Sequence, residues 1–136
     1  MYMQTRRAPR DVTINKPKLL AIISAIVLAV LTVPVILPHI THPYMIYHIL
    51  LHVFTVIISV FLSMVSILSY NRTHNARILL MTFGFLSLVV AELVHLLGAT
   101  ENLMDLIIPV VNIELSHIIL LTMVTLFGMG VLKVNK

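Results

Sequence analysis

Residues 19–71 read LLAIISAIVLAVLTVPVILPHITHPYMIYHILLHVFTVIISVFLSMVSILSYN, and none of them is Asp, Glu, Lys or Arg. A helix that crosses a bilayer needs about 20 consecutive apolar residues. The uncharged stretch of 53 residues therefore has room for two crossings. Pro34, Pro38 and Pro43, with His39, Thr41 and His42 among them, divide it. The pattern predicts helix 1 over 19–37 and helix 2 over 44–70. The polar, basic turn NRTHNAR (71–77) follows. Helix 3 is expected over 78–97, with Gly98 as its C-cap. The segment ATENLMDLIIPVV (99–111) has too short an apolar part to span and contains Pro109. It is expected to lie along the interface or fold back. Helix 4 is expected over 112–131, before the basic tail 133–136.

Composition agrees with this reading. The chain has 136 residues, 60% of them apolar and 10% charged. Its mean hydropathy is +1.07. Soluble domains carry roughly 25% charged residues, so a water-soluble globule is excluded, and so is a disordered chain. There is no cysteine, which removes disulfides, thiolate metal sites and Cys nucleophiles. No phosphate-binding glycine loop, dinucleotide fingerprint or nucleophile elbow is present. The expectation is an all-α polytopic membrane protein, a bundle of four transmembrane helices.

The net charge of +4 is a topology signal and gives no reason to expect a nucleic-acid partner. Arg6, Arg7, Arg10, Lys16 and Lys18 precede helix 1. Arg72 and Arg77 separate helices 2 and 3, and Lys133 and Lys136 follow helix 4. All nine bases fall on one side of a four-span topology. The positive-inside rule makes that side cytoplasmic. Both termini are then expected inside the cell membrane, with residues 1–18 as a basic arm. Helix 1 reads as an uncleaved span, because its apolar run exceeds that of a signal peptide and no A-x-A site follows it. Tyr44 and Tyr47 mark the outer interface and Tyr70 the inner one.

The remaining ionisable residues gather by depth. His48 and His52 fall near the outer start of helix 2, Glu92 and His95 near the outer end of helix 3, and Glu114 and His117 near the outer start of helix 4. At 1.5 Å per residue they share a layer roughly 4 to 13 Å below the outer boundary. His48 and His52 are four apart and stack on one face. Thr55, Ser59, Ser63 and Ser66 continue that stripe, which belongs against partner helices because lipid cannot satisfy it. Gly84, Ser87, Ala91, His95 and Gly98 form a small-residue stripe on helix 3 that admits close approach. On helix 4, Thr125 and Gly128 extend the His117 face inward.

Two Glu-x-x-His pairs on neighbouring helices are half the ligand set of a dinuclear carboxylate site. Helices 1 and 2 carry no acid to complete it, so His48 and His52 would substitute. A His-rich nitrogen and oxygen set suits copper, zinc or iron, and Met45 and Met104 offer softer ligands for copper. A b-type haem between facing histidines, a di-iron centre and a proton- or quinol-handling Glu–His site are the alternatives. A carboxylate inside a span must be paired or protonated. Glu92–His95 and Glu114–His117 neutralising each other across helices 3 and 4 is the purely structural reading, in which the protein holds no cofactor.

The stretch from HILLHVFTVIISVFLSMVSILSYNRTHNARILLMTFGFLSLVVAELVHLLGA to IELSHIILLTMVTLFGMGVLK resembles small four-helix integral membrane proteins of archaea, ammonia-oxidising ones in particular. The shared features are a His-rich helix 2, a basic turn, an acid near the end of helix 3 and a Glu-x-x-His before a glycine-containing apolar run. The resemblance implies the four-helix fold and carries no activity. Archaeal ammonia monooxygenase is accompanied by small helical membrane subunits, so the resemblance implies a place in such an assembly. The sequence expectation is thus an accessory or redox subunit of a larger membrane complex, not a self-contained enzyme. It would hold a transition metal, copper first, at its extracytoplasmic end. His48, His52, His95 and His117 are the expected ligands, with Glu92 and Glu114 as ligands or orienting partners.

Overall fold

A computed structural model describes residues 15–41, 43–100, 107–108 and 113–133. It contains four helices long and apolar enough to cross a membrane: Lys16–His39, Pro43–Thr73, Ala76–Ala99 and Leu115–Leu132. These are the first to fourth spans below.

The first span begins at Lys16 because Asn15 caps it. The Asn15 side chain accepts a hydrogen bond from Lys18 N at 3.3 Å, and Pro17 sits in the first turn, where its missing N–H is harmless. Lys16 and Lys18 are therefore helical. Pro34 does not end the helix. It lacks an N–H and its ring crowds the carbonyl four residues back, so the chain widens to a π-helical turn over Thr32–Ile36. Leu37 N–H then reaches the Thr32 carbonyl, five residues back. His39 closes the span by placing its ring Nδ1 2.9 Å from the Val35 carbonyl. It thus lies in the helix end, not in the loop expected from the sequence.

The second span is the longest, at 31 residues. That is about 46 Å at 1.5 Å per residue, more than the hydrocarbon thickness of roughly 30 Å, so its ends project. It continues past Tyr70 through Arg72, whose charge suits the negative end of the helix dipole. His74 stops it with φ at 49°, in the left-handed region. Asn75 then caps the third span, its side chain accepting from Arg77 N at 2.9 Å. The whole connection is His74–Asn75. A β-branched residue is strained in that conformation. We expect His74→Val to cost about 1–2 kcal/mol in thermal unfolding in detergent, and His74→Asn to cost little.

The third span runs through Gly98 to Ala99. The expectation of a Gly98 cap is corrected here, because no described glycine has a positive φ. Thr100 takes the role, its hydroxyl 3.0 Å from the Leu96 carbonyl and 3.2 Å from that of Leu97. With the last carbonyls served by a side chain, a left-handed glycine is not needed. Beyond it, Ile107–Ile108 (β1) pairs antiparallel with Ile113–Glu114 (β2), Ile107 opposite Glu114. Most of the segment 99–111, expected to lie along the interface or fold back, is outside the described residues. The fourth span starts at Leu115, three residues later than expected, because residues 113 and 114 are extended.

Each span packs on its sequence neighbours, and among the described residues no extensive contact joins the first and fourth. The result is an open four-helix bundle with the second and third spans at its centre. Val35, Ile49, Val53, Ile57 and Leu96 form an apolar cluster at one end of the first three spans. At the other end Gly130 faces Met81 and the Arg77 carbonyl. Adjacent spans are thus antiparallel, and Lys16, Lys18, Arg72, Arg77 and Lys133 share one end. Ser59, Ser63 and Ser66 are buried between helices, and the Ser66 and Thr82 hydroxyls lie 2.8 Å apart across the second and third spans. Gly84 lies beneath the Phe127 ring, so close that an added Cβ would stand 3.0 Å from Phe127 Cζ. Phe127 also meets Phe85 edge-on at 5.0 Å. Large apolar side chains such as Ile26, Val30 and Leu121 point outward. That is the arrangement lipid requires and water penalises.

Candidate functional site

Four of the sequence-selected residues meet where the second and third spans pack. His48 and His52 sit one turn apart on the second span, and Glu92 and His95 one turn apart on the third. His52 and Glu92 lie seven to nine residues inside their helix ends, a depth of about 10–14 Å. The helix pairing brings them together. His52 Nδ1 is 2.7 Å from Glu92 Oε2, and the two side chains are only 15% and 16% exposed.

The described partner of Glu92 is His52 on the second span. A carboxylate at this depth needs such a partner. Ile49, Val53 and Leu96, chain neighbours of the site residues, are almost fully buried beside it. Their low-dielectric surroundings strengthen the bond and raise the cost of leaving either group unpaired.

The bond also sets the chemistry of His52. Nδ1 faces the Glu92 carboxylate, which leaves Nε2 as the ring nitrogen turned toward the second span's other histidine. That Nε2 lies 3.3 Å from His48 Nε2. The two rings meet edge-on, with centroids 4.7 Å apart. His48 is exposed, so the facing nitrogens are reached from the protein surface. His95 takes a different part. Its ring stacks on that of His52 at 5.7 Å and 16°, which fixes the plane of the His52 ring.

Of the expected Glu114–His117 pair, only His117 has a described side chain. His117 occupies the first turn of that span on an exposed side, while Ser116 and Gly130 mark the buried face. Thr125 and Gly128 are exposed as well, so the face expected to run inward from His117 turns outward. Glu114 lies in β2, ahead of the helix, and its side chain is outside the described residues. His42 and Met104 are outside them too. Met45 packs against the apolar cluster. Among the described residues, no three His, Asp or Glu side chains gather closely enough to hold a metal ion unaided. The arrangement is a two-imidazole face with a carboxylate behind it.

Sequence reasoning placed these residues at one depth but missed the His52–Glu92 pairing. The available signal was that Glu92 is the one acid inside the third span, opposite a helix with two histidines and no acid. Comparison of the chain with protein-family models, curated proteins and solved structures finds no match.

Proposed function

We propose that this is a small membrane subunit binding a transition-metal ion between His48 and His52 at its extracytoplasmic end. It serves as an accessory or redox component of a larger membrane complex. Both termini face the cytoplasm in this reading, supported by the bases gathered at the opposite end of the spans. The observation that carries it is the geometry of His52. Two metal–nitrogen bonds of about 2.0–2.1 Å whose nitrogens stand 3.3 Å apart meet at roughly the tetrahedral angle. Glu92 on the far nitrogen of His52 is the partner that metal-ligating histidines ordinarily have, and it raises the basicity of the ligand.

Copper is the favoured metal. Imidazole suits copper and zinc, and divalent copper binds a given nitrogen site more tightly than its neighbours in the series. Two imidazoles leave coordination positions open to water, to a substrate or to an adjoining subunit. That incompleteness supports an accessory role over a self-contained enzyme. A haem between His52 and His95 is disfavoured, because the two rings stack nearly parallel and stacked rings do not aim their nitrogens at one iron between them. Glu92 alone among the described side chains offers a carboxylate here, which disfavours a di-iron centre.

Calorimetric titration of the purified protein in detergent with divalent copper tests the proposal. We expect one equivalent per chain, and a 10–100-fold weaker affinity in Glu92→Gln. Absence of binding, or an affinity unchanged by Glu92→Gln, would count against it.

A further inference from the structure

The opposite, basic end of the protein carries a second site, independent of the histidine face. A groove of about 230 Å³ opens there between the first and second spans. It is lined by Lys16, Arg72, Ser69, Thr73, Val65 and Leu68. Antiparallel packing produces it, by setting the start of one span beside the end of the next. Its character changes with depth. Val65 and Leu68, nearer the membrane interior, form an apolar floor. Ser69 and Thr73 follow one turn apart on the same face, and Lys16 and Arg72 stand at the mouth. The positive end of the first helix dipole also lies here, since Lys16 is its first residue.

We infer that this groove holds the headgroup of an anionic phospholipid. Two cations with different geometry suit a phosphate: the Arg72 guanidinium bonds it as a planar fork, and the Lys16 ammonium acts as a point charge. The hydroxyl-bearing wall suits a headgroup linker, and the apolar floor suits the first carbons of an acyl chain. The volume is below the 300–1,000 Å³ usual for an enclosed ligand site. A headgroup fits it, and the acyl chains continue along the outward apolar side chains of the spans. Basic pockets between transmembrane helices on the cytoplasmic side are where anionic headgroups bind. Topology alone asks for bases at this end and has no need for two of them to frame one groove with hydroxyls.

Native mass spectrometry of the full chain, extracted from vesicles of equal phosphatidylglycerol and phosphatidylcholine, tests this. One retained phosphatidylglycerol per chain is expected. The double variant Lys16→Ala/Arg72→Ala should lose roughly 30-fold in affinity, at about tenfold per 1.4 kcal/mol and about 1 kcal/mol per base. Lys133→Ala removes a charge at the same end outside the groove and should change retention less than threefold. Leu68→Trp keeps every charge, fills the floor, and should also lose the lipid. Millimolar inorganic phosphate should not displace it. Equal retention of phosphatidylcholine, an equal loss in Lys133→Ala, full retention in Leu68→Trp, or displacement by phosphate would each overturn the inference.

Discussion

His52→Ala is expected to abolish copper binding and to destabilise the protein at the same time. The substitution removes one of two facing nitrogens, and a lone exposed imidazole does not hold a metal at micromolar concentration. It also strands Glu92. That carboxylate is 16% exposed and its described partner is His52. Leaving a buried polar group unsatisfied costs about 1–3 kcal/mol, and more for a charge. We therefore expect a loss of about 2–4 kcal/mol. The double variant His52→Ala/Glu92→Ala separates the two effects. With neither partner left unpaired it should recover most of the stability and none of the metal. If the double variant is no more stable than the single one, the pair is not what holds these spans together here.

Gly84→Leu is the second large effect, and it lies away from the site. The Phe127 ring covers Gly84 so closely that even a methyl group would stand 3.0–3.2 Å from three of its carbons. Phe127 is in turn held edge-on against Phe85. A leucine there forces the third and fourth spans apart. Overpacking of this kind costs typically 1–3 kcal/mol, and the displaced helix adds to it. Gly84→Ala should be milder, because the ring can give by a few tenths of an ångström and alanine favours the helix by up to about 1 kcal/mol. Thermal unfolding in detergent reads both. Copper affinity should change little in either variant, since the fourth span contributes no described ligand. A Gly84→Leu protein as stable as the parent would mean that these spans do not pack through this contact.

Most of the architecture was legible in residues 19–71 and in the positions of nine bases, because lipid tolerates few alternatives to an apolar helix. What the sequence misread were places where a local rule had a competitor. Pro38 reads as lying beyond the first helix, but the span continues through it to His39. Gly98 has the look of a cap, yet the Thr100 hydroxyl serves the same carbonyls. Glu114 and His117 have helical spacing, but Glu114 is drawn into a strand pair with Ile107. The candidate site was legible as a layer, because depth follows from counting residues. Its partners were not, because rotation about each helix axis decides which histidine of a neighbouring span Glu92 meets. The stripe from Thr55 to Ser66 was legible as an interface, and Ser59, Ser63 and Ser66 are buried there. Thr55, Ser59 and Ser63 nevertheless donate to carbonyls of their own helix, and it is the Ser66–Thr82 bond that crosses between helices.

In the proposed site His48 and His52 clasp one metal ion while Glu92 holds His52 in place. X-ray absorption at the copper edge, on purified protein loaded with one equivalent of divalent copper, tests it most directly. We expect two imidazole nitrogens at about 2.0 Å, and loss of this imidazole-bound copper in His48→Ala. A copper environment without imidazole scattering, or one unchanged by His48→Ala, would contradict it.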